Sequence, residues 1–122
     1  MSLLESKAVH GAGGFLLMGG WAVFANRAHE MPTPLIAGLV QGLLTATITL
    51  FLKRAIEGIV HRTTGGLRLL LPPLAAFLIS LVLLTAIHTL AGTPALVATI
   101  SVPLAVSTLY AFLYTVTLSR HV

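Results

Sequence analysis

The chain has 122 residues, of which 57% are hydrophobic and only 8% are charged, and its formal net charge is +4. Soluble domains carry about 25% charged residues, so this composition excludes an ordinary soluble fold and predicts an all-α, polytopic membrane protein. The absence of cysteine excludes disulfides and thiolate metal sites. The basic residues form no run that alternates with aromatics, which argues against a nucleic-acid partner.

Four apolar segments have the roughly 20 residues that a helix needs to cross a bilayer. The predicted spans are residues 8–25, 34–52, 72–91 and 95–118. Pro34 and Pro72 are placed at helix starts, where a missing N–H costs little. The stretch HRTTGG, residues 61–66, is interpreted as a flexible break. The prediction is one domain, residues 1–122, with four transmembrane helices arranged as two hairpins.

The first span has some features of a cleavable signal peptide, with a short polar start and small residues before Asn26. However, the polar leader holds Glu5 as well as Lys7, and the apolar stretch is rich in glycine. The glycines are Gly11, Gly13, Gly14, Gly19 and Gly20. They favour a helix-packing face in a retained first span, with cleavage of residues 1–25 as the alternative.

The distribution of Lys and Arg predicts the orientation, because bases are enriched in cytoplasmic loops. Four spans place the N-terminus, the middle connection and the C-terminus on one side. The bases on that side are Lys7, Lys53, Arg54, Arg62, Arg68 and Arg120. The other side holds Arg27 alone, so both termini are predicted to be cytoplasmic, in a bacterial inner membrane.

A faint internal repeat relates the two halves of the chain. One unit begins at His29 and the other at His88, and each continues to Thr-Pro, an apolar pair, an alanine and a span rich in hydroxyl residues. Two related hairpins of the same orientation would be a parallel duplication. Chance similarity between apolar segments is the alternative.

Two ridges with four-residue spacing run along the second span. Gly38, Gly42 and Ala46 form the small-residue ridge, and Ala37, Gln41, Thr45, Thr49, Lys53 and Glu57 form the polar ridge. Helices in lipid associate through close backbone contact at small residues and through polar contacts. We therefore expect Gly38 and Gly42, with Gly19 of the first span, to pack against other helices. The leucines at 35, 39, 43 and 50 are expected to face lipid.

Gln41 has two interpretations: a structural hydrogen bond between helices, or a polar contact in a translocation path. In the second, Gln41, Thr45 and Ser80 line a groove that opens toward Arg27 and His88 at the outer rim. The rim is itself open to interpretation. Its residues are Asn26, Arg27, His29, Glu30 and His88. They fit a solvated rim with an Arg27–Glu30 pair, a phosphate or head-group site, or, less well, a zinc site.

No nucleophile motif and no paired carboxylates occur within a span, so the sequence predicts no enzyme and no cofactor. The stretch GFLLMGG, residues 14–20, and the hairpin HTLAGTPALVATISVPLAVSTLYAFLY, residues 88–114, resemble those of the GtrA-like family of small four-span bacterial membrane proteins. That resemblance implies a role in handling polyprenyl-linked sugars. The stretch ANRAHEMPTPLIAGLVQG, residues 25–42, is also similar to a second set of small proteobacterial inner-membrane proteins.

Two functions follow as expectations. The first is binding or translocation of an amphiphilic, lipid-linked substrate, or assistance to such a transporter. The second is a non-catalytic accessory or assembly subunit of a larger membrane complex, held through its small-residue faces. The expected partners are membrane lipids and either further copies of the chain or other membrane proteins.

Overall fold

A computed structural model describes the backbone of residues 7–122 and the side chains of residues 12–122. Glu5 of the predicted polar leader lies outside the described residues, as does the side chain of Lys7. The elements are α1 (Lys7–Ala25), α2 (Thr33–Arg62), α3 (Gly65–Leu90) and α4 (Leu96–Ser119). Over residues 7–122, the prediction of an all-α fold with four helices is confirmed. Helices α2, α3 and α4 are each long and apolar enough to cross a membrane, whereas the apolar part of α1, Ala12–Ala25, is shorter.

The predicted flexible break at residues 61–66 is wrong in extent. Helix α2 continues to Arg62 and α3 begins at Gly65, which leaves a connection of two residues. Arg68 provides partners for backbone carbonyls at this connection, since its Nε donates to the carbonyl oxygens of Val60 at 3.0 Å and Thr63 at 2.8 Å. Gly65 has a φ of 62°, a left-handed conformation that glycine adopts without strain. A side chain and a glycine thus replace the expected loop.

Pro72 does not start a helix, contrary to the prediction. Pro72 and Pro73 lie inside α3, which begins seven residues earlier. A proline within a helix leaves the carbonyl four residues before it unpaired. For Pro72 and Pro73 these carbonyls belong to Arg68 and Leu69, in the first turns of α3, where Leu69 and Leu70 are exposed. Carbonyls at an exposed helix end can be solvated, so α3 tolerates the pair.

The helices form a bundle around a central pair. Helices α2 and α4 lie side by side and run in the same direction, while α1 and α3 run opposite to them on either side of the pair. Each of α1 and α3 contacts both central helices, and within the described residues α1 and α3 do not contact each other. This order is the one expected of two hairpins related by a two-fold axis along the bundle. The duplication itself stays a prediction.

Helix α2 has the orientation that its pattern predicts. Ala37, Gly38 and Gln41 are buried, whereas the leucines at 35, 39, 43 and 50 are all exposed. The apolar core follows α2 toward its C-terminus and packs on α3 and α4; its α2 members are Leu44, Ile48, Leu52, Ile56 and Val60. Large apolar side chains are exposed on all four helices, among them Leu16, Leu43, Leu70 and Leu113. The bundle therefore has an apolar exterior as well as an apolar core.

Candidate functional site

Backbone contact between glycines holds α1 against α2. A Cβ added at Gly19 would lie 2.9 Å from the carbonyl oxygen of Gly38, and one added at Gly42 would lie 2.7 Å from the ring of Phe15. A side chain at Gly19 would force the two backbones apart, and one at Gly42 would have to displace the Phe15 ring. The structure thus places Gly19, Gly38 and Gly42 at the α1–α2 interface.

Asn26, one of the predicted rim residues, joins the end of α1 to the start of α4. Its side chain is fully buried. Its Nδ2 donates to Thr99 Oγ1 at 2.8 Å, and its Oδ1 accepts from the backbone N–H of Ala95 at 3.0 Å. Asn26 therefore caps the first turn of α4, which has no cap of its own. Nearby, Trp21 Nε1 donates to the carbonyl of Ala98 at 2.9 Å.

His88 is likewise buried, which corrects its expected place at the solvated rim. Its Nε2 lies 2.7 Å from Gln41 Oε1, and its Nδ1 lies 2.7 Å from Thr93 Oγ1. Because Gln41 Oε1 can only accept, His88 Nε2 carries the proton and Nδ1 accepts from the Thr93 hydroxyl. Gln41 Nε2 in turn donates to Thr45 Oγ1 at 3.0 Å. Gln41 thus makes an interhelical hydrogen bond between α2 and α3, as its first interpretation expects.

Beyond these contacts α1 and α4 separate, and a cleft of about 210 Å³ opens between them. Its walls come from α1 and α4, and its floor comes mainly from α2. The α1 and α4 residues are Gly14, Leu17, Met18, Pro103, Val106, Ser107 and Tyr110. The floor residues are Gln41, Thr45, Ile48, Thr49, Leu52 and, from α3, Leu84. The polar ridge of α2 therefore faces this cleft.

The floor of the cleft is more apolar than its residue types suggest. The Thr49 hydroxyl donates back to the carbonyl of Thr45 at 2.7 Å, and the Thr45 hydroxyl accepts from Gln41. The Thr45 methyl group points toward α1, since a Cβ added at Gly14 would lie 3.5 Å from Thr45 Cγ2. Threonines that turn their hydroxyls to their own helix present methyl groups outward. This surface suits a hydrocarbon chain better than a polar head group.

Ser80 does not line the cleft, contrary to the groove predicted from the sequence. It is buried between α3 and α4, where its Oγ accepts from the Ser107 hydroxyl at 3.0 Å. Ser107, four residues after Pro103, takes its place in the wall. The predicted groove therefore includes Gln41 and Thr45 but uses a hydroxyl from the neighbouring helix.

The charged rim residues lie apart from the cleft. Arg27 Nη1 donates to the carbonyl of Phe24 at 2.9 Å, and its guanidinium lies 3.9 Å from the centre of the Phe24 ring. His29 and Glu30 are exposed, and among the described residues the ion pair is Lys53–Glu57 rather than Arg27–Glu30. The described residues also contain no cluster of three potential metal ligands. The rim thus brings together neither the predicted ion pair nor the zinc set.

A second polar group, formed by Lys53, Glu57 and Tyr114, lies past the other end of the cleft. The contact of Tyr114 with Glu57 was not predicted. Tyr110 lines the cleft and stacks on Tyr114 with ring centres 5.6 Å apart. The Tyr114 hydroxyl donates to Glu57 Oε2 at 2.6 Å, and Lys53 Nζ lies 3.2 Å from the same oxygen. The four-residue spacing of the polar ridge places Lys53 and Glu57 on one face of α2, and the structure pairs them. The four-residue spacing of Tyr110 and Tyr114 indicates that they share one face of α4, but it does not show that Tyr114 meets Glu57.

No protein-family model, curated protein or solved structure matches this chain. The resemblance to the GtrA-like family therefore stays a prediction. The geometry of the cleft and of its two polar ends is what bears on function.

Proposed function

We propose that the chain is a non-catalytic protein of the bacterial inner membrane, with four spans and both termini in the cytoplasm. Support comes from three helices of membrane-spanning length, from apolar side chains exposed on every helix, and from the six bases that share one side. Helix α2, at 30 residues, is about 45 Å long. The hydrocarbon core is only about 30 Å thick, so the last turns of α2 extend into the cytoplasmic head-group layer.

Within that setting, we propose that the α1–α4 cleft binds one hydrocarbon chain of a membrane amphiphile. The carrying observation is the cleft itself, which opens at the side of the bundle and has an apolar lining. Ligand pockets for whole drug-sized molecules measure about 300–1,000 Å³, so about 210 Å³ fits a single chain rather than a complete lipid. The polar head would stay outside the cleft.

The polyprenyl chain that the family resemblance implies and the acyl chain of a phospholipid present the same chemistry to this lining. Both are flexible hydrocarbon chains that gain dispersion contacts with closely packed walls. A binding role therefore covers either source. It also replaces the route for a polar head past Gln41, because the Gln41 amide is occupied by His88 and Thr45.

Filling the cleft tests this proposal. Gly14 lines the cleft, whereas an added Cβ at Gly13 would meet nothing within 4 Å. Gly14→Leu is expected to place its side chain in the space of the ligand, and Gly13→Leu is the matched control. The measurement is native mass spectrometry of detergent-purified protein titrated with dioleoyl phosphatidylethanolamine. Lipid adducts are expected to be depleted in Gly14→Leu alone.

An accessory subunit would give a different result in the same experiment. If a helix of another membrane protein fills the cleft, Gly14→Leu leaves lipid adducts unchanged and instead releases the partner or lowers the oligomeric mass. That outcome would overturn the lipid-binding proposal in favour of the assembly role.

Cysteine labelling tests the orientation. His29 and Thr64 are exposed in the two connections at opposite ends of the bundle, and the chain has no native cysteine. In intact cells, an impermeant thiol reagent is expected to label His29→Cys and to spare Thr64→Cys. The reverse pattern would contradict the proposed orientation, and labelling of neither in lysed cells would show that the connections are not accessible.

A further inference from the structure

The polar ridge of α2 continues beyond the cleft and ends at two charged residues, Lys53 and Glu57. Gln41, Thr45 and Thr49 form the floor, and the next two positions at the same spacing are Lys53 and Glu57. Tyr110 makes the same connection on α4, since it lines the cleft and stacks on Tyr114, which donates to Glu57. The open end of the apolar cleft therefore leads to a fixed ammonium–carboxylate pair.

The depth of the cleft fits one leaflet of a bilayer. Along α2 the floor runs from Gln41 to Leu52, which at 1.5 Å per residue is about 16 Å, half of the roughly 30 Å hydrocarbon core. Lys53 follows Leu52 directly. A chain that lies in the cleft would thus carry its head group to the level of Lys53 and Glu57, and not to Arg27 at the opposite end.

The pair has unused bonding capacity on both charges. Glu57 Oε2 accepts from both Lys53 and Tyr114, while Oε1 has no protein partner among the described residues. Lys53 has three ammonium protons and uses one of them on Glu57. The Tyr114 hydroxyl holds the carboxylate in place from a second helix. The group therefore offers a donor for a phosphate beside an acceptor for a cation.

We propose that Lys53, Glu57 and Tyr114 form a head-group site for a glycerophospholipid with a phosphate and a primary ammonium, such as phosphatidylethanolamine. This assignment rests on the proposed function of the cleft. The phosphate accepts from Lys53, and the ammonium donates to Glu57 Oε1. A quaternary ammonium has no N–H to donate, and a purely anionic head group has no cation for the carboxylate, so both are bound less well.

Competition between lipids with the same chains tests the site. Native mass spectrometry with dioleoyl phosphatidylethanolamine, phosphatidylcholine and phosphatidylglycerol is expected to show a preference for the first of roughly three- to tenfold, the ratio given by one charge-assisted hydrogen bond at an exposed position. Glu57→Gln, which keeps the shape of the side chain, is expected to abolish the preference over phosphatidylcholine while total adducts persist. Arg54→Gln, an exposed base next to Lys53, is the control and keeps the preference.

The outcomes separate this assignment from the function on which it rests. If wild type takes up all three lipids equally and Gly14→Leu depletes them all, the cleft binds lipid and only the head-group site is overturned. If Gly14→Leu depletes none of them, the cleft proposal fails first. If Glu57→Gln retains the full preference for phosphatidylethanolamine, the carboxylate does not bind the ammonium and the assignment is wrong.

Discussion

The two ends of the bundle are built differently. At the end that carries Asn26, buried side chains are hydrogen-bonded between elements, from Asn26 just after α1 to Thr99 of α4 and from Gln41 of α2 to His88 of α3. At the end that carries Lys53, the interhelical polar contacts are the partly buried bonds from Tyr114 to Glu57 and from Arg68 to the Val60 carbonyl, and the cleft separates α1 from α4. We call these the Asn26 end and the Lys53 end.

The difference shows how a four-helix bundle can be rigid and still have an opening. Buried polar groups must find partners, and once paired they fix the distance and rotation of the helices that carry them. At the Asn26 end the buried polar groups are paired, and hydrogen bonds from Trp21 and Asn26 fix the C-terminal end of α1 against α4. The Lys53 end is filled by aliphatic contacts around α2, which leave the side between α1 and α4 unsealed. The cleft is a consequence of where the polar residues stop.

The largest effect on stability is expected from a substitution at the contact between α1 and α2. Gly19→Ala would place a methyl group 2.9 Å from the Gly38 carbonyl oxygen, and overpacking of this kind costs about 1–3 kcal/mol. Gly20→Ala is the matched control, because a Cβ there meets nothing within 4 Å and alanine is up to about 1 kcal/mol better than glycine in a helix. Thermal unfolding in detergent, followed by Trp21 fluorescence, should separate the two variants. Equal midpoints would mean that the close contact between Gly19 and Gly38 does not stabilise the packing of α1 on α2.

A smaller loss of stability is expected when a buried hydrogen bond of the Asn26 end is removed. His88→Leu leaves the buried Gln41 and Thr93 side chains without their hydrogen-bond partner. The expected decrease in the free energy of unfolding is about 1–2 kcal/mol. His29→Leu is the control from the first half of the faint repeat, because His29 is exposed and its loss should change stability by less than about 0.5 kcal/mol. Thermal midpoints measured in the same detergent compare the two. If His29→Leu lowers the midpoint as much, the buried hydrogen bonds of His88 do not account for the stability of the Asn26 end.

The smallest effect is expected at the Lys53 end. Lys53→Met breaks the Lys53–Glu57 pair, but both side chains are substantially exposed and exposed ion pairs contribute little to stability. The thermal midpoint in lipid-free detergent should stay within experimental error of wild type, and added salt should not alter the comparison. A drop as large as that of His88→Leu would show that the Lys53 end is held by polar contacts after all.

The fold class and the inward face of α2 could be predicted from the sequence, because both depend on local patterns. Apolar length predicts the helices, and the spacing of Gly38 and Gln41 predicts which side turns inward. The burial of Asn26 and His88 could not be predicted in this way. Each residue lies at the end of an apolar segment and looks like a rim residue, and its partners Thr99 and Gln41 lie 73 and 47 residues away in the chain.

The same reason explains the rest of the site. Glu57 and Tyr114 are 57 residues apart, so nothing in either local pattern shows that they meet. Pro72 was misplaced for a different reason, since proline is a common first residue of helices and only the exposed turn before it allows α3 to begin earlier. The cleft depends on α1 and α4 separating beyond their contact near Trp21 and Asn26, and no property of either helix alone shows that separation.

The position of α1 on one side of the central pair has a consequence for how the chain can be divided. Helix α1 contacts α2 and α4, within the described residues it does not contact α3, and the connection that follows it is exposed at His29 and Glu30. Co-expressed fragments of residues 1–29 and 30–122 are therefore expected to find each other in the membrane and purify together. Gly19→Ala in the shorter fragment should abolish that complementation, which would make the helix contact, rather than the covalent link, the thing that joins the two parts.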